Sequence, residues 1–562
     1  MSGSATREVA DRHVSALAEH EPTAAQALGL ASTRPLPDLS PEWAQERRAL
    51  TRRTAAALRG AEPDGEADRS LHAAMTERMR SEAELFDTGF TARLLAPLAS
   101  PVHEVRESFD DVVVTDDDAG DRVIERLQAV DGALADLRRR LGWARAAGRD
   151  SRFTGTGVAA ARQVTAVADQ IATWIDPRGI DYFSSIATAG LATARRQALD
   201  RAAASATAAF ADLEDWLRSD LLPDAPREDA VGEHVYAQTA RSFLGTELDL
   251  DEVYDYGWQE LDRLFSEALS LSAQVLGGHV GDGGPGEVAA AARALDADQR
   301  HRVEGRANIV GWLNDRLDWT LETVGDAFDL PESIRDVDIV VPTAATGVVY
   351  YLPGAPDGSV RSKIVWTVPE GADAIGTWQE VTSFHHEGVP GHHLEHSINR
   401  ANAGLHPWQR YLCEIHGYAE GWAHYSEQLS ADLGLLRDPA ERLGMVLGQL
   451  WRTVRIVADI GLHTGRRLRA NPLGATGQWT PELARRFLTD IALVDPRTAR
   501  FEVDRYLGWP GQALAFKVGA KLWTEARAAA GRAGASAADF HRRALGLGPM
   551  GLAPLRALLT DS

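Results

Sequence analysis

Cysteine is almost absent: Cys413 is the only one in 562 residues. No intramolecular disulfide can form, and a cysteine-based structural metal site is excluded. Lysine is nearly missing too, with Lys363, Lys517 and Lys521 alone and arginine in its place, which reads as a bias of composition rather than a functional signal. No segment approaches the ~18–20 consecutive apolar residues that a membrane-crossing helix requires. No basic run interrupts a formal net charge of −22, so neither nucleic acid nor an anionic membrane is an expected partner. The opening residues, MSGSATREVADRH, carry charge from the start with no apolar stretch behind them. That is not a secretory pattern, and the cytoplasm is the expected location. What remains is 44% hydrophobic and 25% charged, the balance of a globular chain with a sizeable core.

Residues 1–335 are dominated by Ala, Leu, Arg and Glu at helical spacing. In 121–148, Val123, Leu127, Val130, Leu134 and Leu137 recur at three and four residues and form one apolar stripe. A second such stretch covers 191–218. The glycine-rich GGHVGDGGPG at 277–286 lacks the Lys-Ser/Thr ending of a phosphate loop and reads as a linker. Between 337 and 368 the texture changes to short β-branched and aromatic runs, DVDIVVP, GVVYYLP and RSKIVWTVP, with a PDG turn at 356–358. These predict a small antiparallel sheet. From 375 onward helical patterning resumes. The expected architecture is mainly α, with an N-terminal helical lobe over 1–335 and a metal-binding catalytic lobe over 336–562 of one continuous fold.

The string FHHEGVPGHHLEH at 384–396 holds five histidines and two glutamates in thirteen residues. Imidazole and carboxylate are the usual nitrogen and oxygen ligands of zinc. Zinc hydrolases commonly place two histidines four residues apart on a helix, because four residues advance ~400° and return to one face, with a glutamate beside the first as base. Here Pro390 occupies the fourth position after His386, and His392 comes two residues later. The Pro390–Gly391 step should interrupt the helix, and a two-residue bulge there would bring His392 back beside His386. His393 shares the face of His386 in an ideal helix but sits ~10 Å along the axis. His392 and His396, an i, i+4 pair, form a rival assignment. A third ligand is supplied by Glu420, with Glu427 seven residues on and on the same face, orienting a histidine through its other ring nitrogen.

The segment LGQLWRTVRIVADIGLH at 447–463 is apolar on nearly every side except for Arg452, Arg455, Asp459 and His463. Buried charges need partners. Two readings stay open: a strip facing the site, with His463 near substrate and an arginine receiving a carboxylate, or an internal Arg455–Asp459 salt bridge. Tyr506, ahead of a WPGQ turn, is a candidate oxyanion donor. Tyr351, on the strand read just upstream of the metal helix, is a candidate for the substrate side.

The strings HEGVPGHHLEH and EGWAHYSEQL, followed by DIGLH at 459–463 and RYLGWPGQALAFKVG at 505–519, resemble the signatures of a bacterial family known as domain of unknown function 885. HEPTAAQALGL at 20–30 resembles that family's opening helix. The resemblance spans nearly the whole chain. It implies a large, helical, two-lobed body with a deep central cleft, similar to helical zinc carboxypeptidases and oligopeptidases of the gluzincin type. It also implies a metal held by His386, His392 and Glu420, and places Gln512 and Lys517 as lining residues of the cleft. His396, where a less ligand-like residue would be usual, departs from the family pattern and leaves the rival histidine pair slightly more credible, with His386 and His392 still preferred. The expected activity is zinc-dependent hydrolysis of an amide bond in a peptide or peptide-like small molecule, with Glu387 activating the metal's water and Tyr506 or His463 stabilising the oxyanion. The alternatives are a non-proteolytic metalloenzyme acting on a small biosynthetic intermediate, and a non-catalytic metal-binding helical protein.

Overall fold

Apolar side chains at three- and four-residue spacing become stable helices only when their stripes are buried against one another, and the arrangement of stripes explains most of this chain. The computed structural model describes residues 4–560 apart from 33, 111, 177–180, 189–190, 279–282, 343–348, 357 and 369–372. The linker read at 277–286 and the turn read at 356–358 lie partly outside the described residues. The structure is mainly α with a few short strands. It divides into two compact units: Met1–Glu62, Met79–Thr239 and Asp504–Trp509 form one, and Pro63–Arg78, Ala240–Val503 and Pro510–Ser562 form the other. The units do not part at residue 335, where the composition changes: residues 240–335 pack with the residues that follow them. Among the described residues no helix is long and apolar enough to cross a membrane.

In the first unit the stripe read over 121–148 is carried by two helices, α1 (Asp117–Gln128) and α2 (Val130–Arg149), joined at Ala129. Val123, Leu127, Val130, Leu134 and Leu137 are all buried. They share one core with Val164, Val167 and Ile171 of α3 (Ala161–Trp174) and with Leu199, Phe210 and Leu213 of α4 (Thr193–Trp216).

The second unit is built around long helices and two small sheets. Its elements are α5 (Leu250–Leu276), β1 (Arg302–Glu304), α6 (Arg306–Val324), β2 (Val337–Val340), β3 (Tyr350–Leu352), β4 (Ser362–Val365) and β5 (Ala374–Gly376). They continue as α7 (Thr377–Glu387), α8 (His392–Ala401), α9 (His416–Asp432), α10 (Pro439–Thr464) and, after the excursion to the first unit, α11 (Ala515–Arg532). The expected antiparallel sheet is instead mixed. β4 lies in the centre, antiparallel to β3 but parallel to β2. Because β3 returns directly into β4, the remaining edge of β4 is left for β2, and that insertion fixes the parallel direction. A separate pair, β1 with β5, runs antiparallel and leads straight into α7.

Helix α10 has its own start and stop signals. The Asp438 carboxylate accepts from the amides of Ala440 and Glu441, each at 2.9 Å, Pro439 opens the first turn, and Gly465 closes the helix at φ 71°. It packs on α5 and α7, while α9 packs on α7, α8 and α11. The buried Arg316 of α6 clamps the start of α10 with both ends of its guanidinium 3.1 Å from the Glu441 carboxylate. Helices α9 and α11 touch backbone to backbone: a Cβ on Gly421 would lie 2.6 Å from the Gly519 Cα, and one on Gly519 would lie 2.5 Å from the Gly421 Cα.

That contact generates a signed prediction. Gly519→Ala should destabilise the protein by about 1–3 kcal/mol through overpacking. Gly531→Ala on the same helix, with nothing within 4 Å of the added carbon, should be neutral or stabilising by up to about 1 kcal/mol. Denaturant melts of the two variants check it; equal effects would mean that the Gly421–Gly519 contact is not tight.

Candidate metal centre

Helix α7 ends at Glu387 because the next four residues cannot continue it. Pro390 has no N–H to donate, and Gly388 and Gly391 adopt non-helical angles, φ −96°, ψ −122° and φ −80°, ψ −134°. A Cβ on Gly391 would overlap the carbonyl oxygens of His385 and His386, so the backbone recrosses the end of α7 at a point that only glycine fits. The loop is fastened from both sides. His385 Nδ1 donates to the Val389 carbonyl at 2.9 Å, and the Trp422 indole of α9 donates to the Pro390 carbonyl at 2.9 Å. The interruption is complete, not the bulge within one helix that the spacing suggests. Helix α8 then begins at His392.

The result is a pair of imidazoles with ring centres 5.0 Å apart and planes at 90°. Glu420, from α9, reaches both: its Oε2 lies 3.3 Å from His386 Nε2 and 3.6 Å from His392 Nε2. Bonds of ~2.0–2.1 Å to a tetrahedral ion imply ligand–ligand edges of roughly 3.3 Å, so this donor set has the chemistry and the spacing for one divalent ion. Side-chain exposure rises from 5% at His386 through 13% at His392 to 23% at Glu420, so solvent reaches the cluster from the Glu420 side.

Behind His386 runs a chain of buried polar groups. His386 Nδ1 donates to Glu427 Oε1 at 2.8 Å, which fixes the ring and leaves Nε2 directed at Glu420. The other oxygen of Glu427 lies 3.1 Å from His424 Nδ1 and accepts from the Gln449 amide at 2.9 Å. The Gln449 carbonyl oxygen accepts from Lys517 Nζ at 2.8 Å, and Lys517 pairs with Glu260 of α5 at 3.1 Å. Phe516 stacks on His386, centroids 6.0 Å apart and planes 16° from parallel.

The charges follow. Burial opposes ionisation of Glu420 and Glu427, but the histidine partners outweigh it and hold both carboxyls well below their ordinary range. Burial alone would push His386 down; hydrogen bonds to Glu420 and Glu427 outweigh it and raise the ring to about 10. His392 is raised as well, with Glu420 overcoming burial. Glu387 is raised by burial, with His386, His392 and Arg452 pulling partly back.

A second group, His392, Glu395 and His396, also converges. It shares His392 with the first, and its character differs. Glu395 is already bound by the Asn399 amide, and burial raises its carboxyl to about 7, while burial followed by the neighbouring His392 lowers His396 to about 3. Among the described residues neither histidine of the pair is backed by a carboxylate on its far nitrogen as His386 is.

The remaining sequence candidates are dispersed. His393 turns away from the cluster and donates from Nε2 to the Ile334 carbonyl at 2.7 Å. Tyr351 donates to Ser362 at 2.9 Å, and its ring lies 5.2 Å from that of His396. The Arg455 guanidinium goes to Glu502, which its Nε and Nη2 reach at 2.9 and 2.8 Å. Asp459 accepts from the Gly511 amide at 2.9 Å and lies 3.7 Å from His463. All three are buried, and Asp459 holds the turn that follows residue 509. Gln512 donates to His416 Nδ1 at 3.1 Å, at the start of α9, and Lys517 is buried in the chain behind Glu427. Tyr506 is buried and belongs to the first compact unit, whereas the cluster belongs to the second. Sequence reasoning missed His424 and Gln449. His424 stands four residues after Glu420 and three before Glu427, a spacing that would have placed it on their face; Gln449 gives no local signal.

Proton release should expose this wiring. In metal-free protein His386 stays protonated up to about pH 10, so an ion must expel that proton. Affinity for zinc should rise with pH through the neutral range, with about one to two protons released per ion at pH 7. Calorimetry in buffers of different ionisation enthalpy measures this, and binding without proton release would contradict the assignment of His386. Glu427→Ala should weaken zinc about 10- to 100-fold.

No curated protein matches the chain. Two solved structures share its fold. One is described as "the putative lipoprotein from Colwellia psychrerythraea", with 22% identity, a TM-score of 0.83, and 99% of each chain covered. The other is described as "a putative lipoprotein of unknown function from Shewanella oneidensis", with 16% identity, a TM-score of 0.73, and 98% of this chain and 99% of that one covered. The pattern of the family described as bacterial protein of unknown function (DUF885) matches residues 22–559, and the chain belongs to that family.

Proposed function

We propose that this protein is a zinc-dependent hydrolase that cleaves amide bonds of peptides or peptide-like small molecules. The observation that carries the reading is the donor set of His386, His392 and Glu420, with Glu420 3.3 and 3.6 Å from the two imidazole nitrogens and all three donors within 4.8 Å of one another, Glu387 next in sequence to His386 and Glu427 behind His386. The order of the donors along the chain, two histidines and then a glutamate on a following helix, is the one expected of a gluzincin-type zinc site and supports it. So does solvent access on the Glu420 side, since a hydrolytic site needs a coordination position left for water.

His386, His392 and Glu420 would hold the ion. When bound, a zinc ion supplies Lewis-acid chemistry, acidifying water and polarising an amide carbonyl. The chain's own residues do the rest. Glu387 accepts a proton from water as its oxygen adds to the amide carbon, then returns that proton to the nitrogen as the C–N bond breaks, leaving a carboxylate and an amine. Burial raises the Glu387 carboxyl, the direction expected for a base that must also act as an acid near neutral pH. Glu427 keeps His386 oriented; His424 and His386 hold Glu427 ionised, and Gln449, tied to Lys517, holds it in place.

Glu387→Gln should leave zinc stoichiometry at one ion per chain and reduce amide turnover at least 100-fold. Hydrolysis of a library of short peptides and N-acyl amino acids, measured beside zinc content, checks it. Undiminished turnover would remove Glu387 from the proton-transfer role, and no turnover by the zinc-loaded wild type on any amide would sink the hydrolase reading.

A further inference from the structure

Two arginines one helical turn apart on α10 lie beside the cluster, and their circumstances differ. Arg455 is committed: Glu502 binds it at two nitrogens, and its guanidinium stacks on Phe516 at 4.3 Å. Arg452 has no such partner. Its guanidinium lies 4.7 Å from the Trp451 ring centre and 5.8 Å from that of Phe516, and its buried Nε has no hydrogen-bond acceptor. Among the described residues, no carboxylate lies within ion-pair distance of it. An unpaired guanidinium in a largely buried setting is costly unless something supplies the missing charge.

Its position says where that something would be. Arg452 Nη1 and Glu427 Oε2 stand 3.9 and 4.0 Å from one point beside Gly448, the place a Cβ would take. The nearest atom to that point is Thr382 Cγ2, at 3.3 Å, so the guanidinium and the carboxylate that orients His386 both face one position on α10, with the Thr382 methyl closing its third side. The Arg452 charge is felt by Glu387, Glu420 and Glu427, and Phe516, against which it lies, also stacks on His386. With the Trp451 and Phe516 rings beside the guanidinium, its N–H edge is what remains to meet a ligand. That edge is a fork of N–H donors matched to a planar carboxylate.

We propose that Arg452 binds a free carboxylate of the substrate next to the scissile amide, so that the substrate class is N-acyl amino acids or peptides cut at their C-terminal residue. This rests on the hydrolase reading for its chemistry. In the reaction, water adds across the C-terminal amide, the C–N bond breaks, and an amino acid leaves with its carboxylate still held by Arg452. An internal peptide bond offers no such group.

The test is binding, which does not need turnover. Zinc-loaded protein carrying Glu387→Gln is titrated by calorimetry with N-acetyl-L-amino acids and with the matching carboxamides, which differ only in the charged group. The acids should bind about 10- to 100-fold more tightly than the amides. Arg452→Met should abolish that difference, chiefly by weakening the acids, while zinc content stays at one ion. Arg452→Lys, which keeps the charge but loses the fork, should restore part of it. If the Met variant does not fold, Arg452→Gln carries the same comparison. Equal binding of acid and amide, no binding of either, or an acid preference that survives loss of Arg452 would each overturn the inference. So would an equal loss for acid and amide, since that is how a purely structural counter-charge behaves. An acid preference that depends on Arg452 in a protein that hydrolyses nothing would leave the carboxylate site standing and remove the hydrolase reading instead.

Discussion

Between the carbonyl oxygens of His385 and His386 there is no room for a side chain, and the chain passes there as Gly391. That steric limit governs the geometry of the whole centre. Were α7 to run on, His392 would lie far round the helix from His386, and no single ion could take both. Because the backbone recrosses the end of α7, two imidazoles six residues apart come within 5.0 Å of one another. The crossing is held from outside by the Trp422 indole on the Pro390 carbonyl. Trp422 sits on α9, the helix that also supplies Glu420, so one element fixes the loop and provides the third donor.

The second constraint is electrostatic. Three carboxylates, Glu387, Glu420 and Glu427, gather in a setting where an unpaired charge is expensive. Glu427 is met by His386, His424 and Gln449, and through Gln449 by Lys517, which is itself neutralised by Glu260. Lys517 is one of three lysines in the chain, and the compositional reading gave it no weight. Its position explains its use: a compact ammonium on a flexible stem can reach the Gln449 oxygen and Glu260 together, in a space shared with α5, α10 and α11. The close backbone contact of Gly421 with Gly519 brings α9 and α11 near enough for this relay to close.

What the sequence disclosed was local. The convergence of His386, His392 and Glu420, with Glu427 behind His386, could be read from residue type, spacing and the proline–glycine step, because the two histidines flank one interruption and the two acids share one helix face. The apolar stripes of α2 and α4 were equally plain. What could not be read depends on partners far along the chain. Arg455 and Asp459 are spaced for an intrahelical bridge, yet Glu502 captures the first and the Gly511 amide the second. A short bridge within a helix is worth little beside a buried pair in which two guanidinium nitrogens meet one carboxylate oxygen. The strand direction of β2 escaped for the same reason: β2 pairs with β4, more than twenty residues further on, and not with β3, the next strand in the sequence. His393 shared the face of His386 in an ideal helix and lost that relation when the helix broke.

The account stands or falls on which side chains hold the ion. A crystal structure of protein grown with zinc, with anomalous data collected on both sides of the zinc edge, addresses that directly. The account predicts a single strong peak bonded by His386 Nε2, His392 Nε2 and Glu420, with Glu427 retained on His386 Nδ1. A peak bonded by His392 and His396 with His386 turned away, or no peak at the cluster in protein that had been offered zinc, would contradict it.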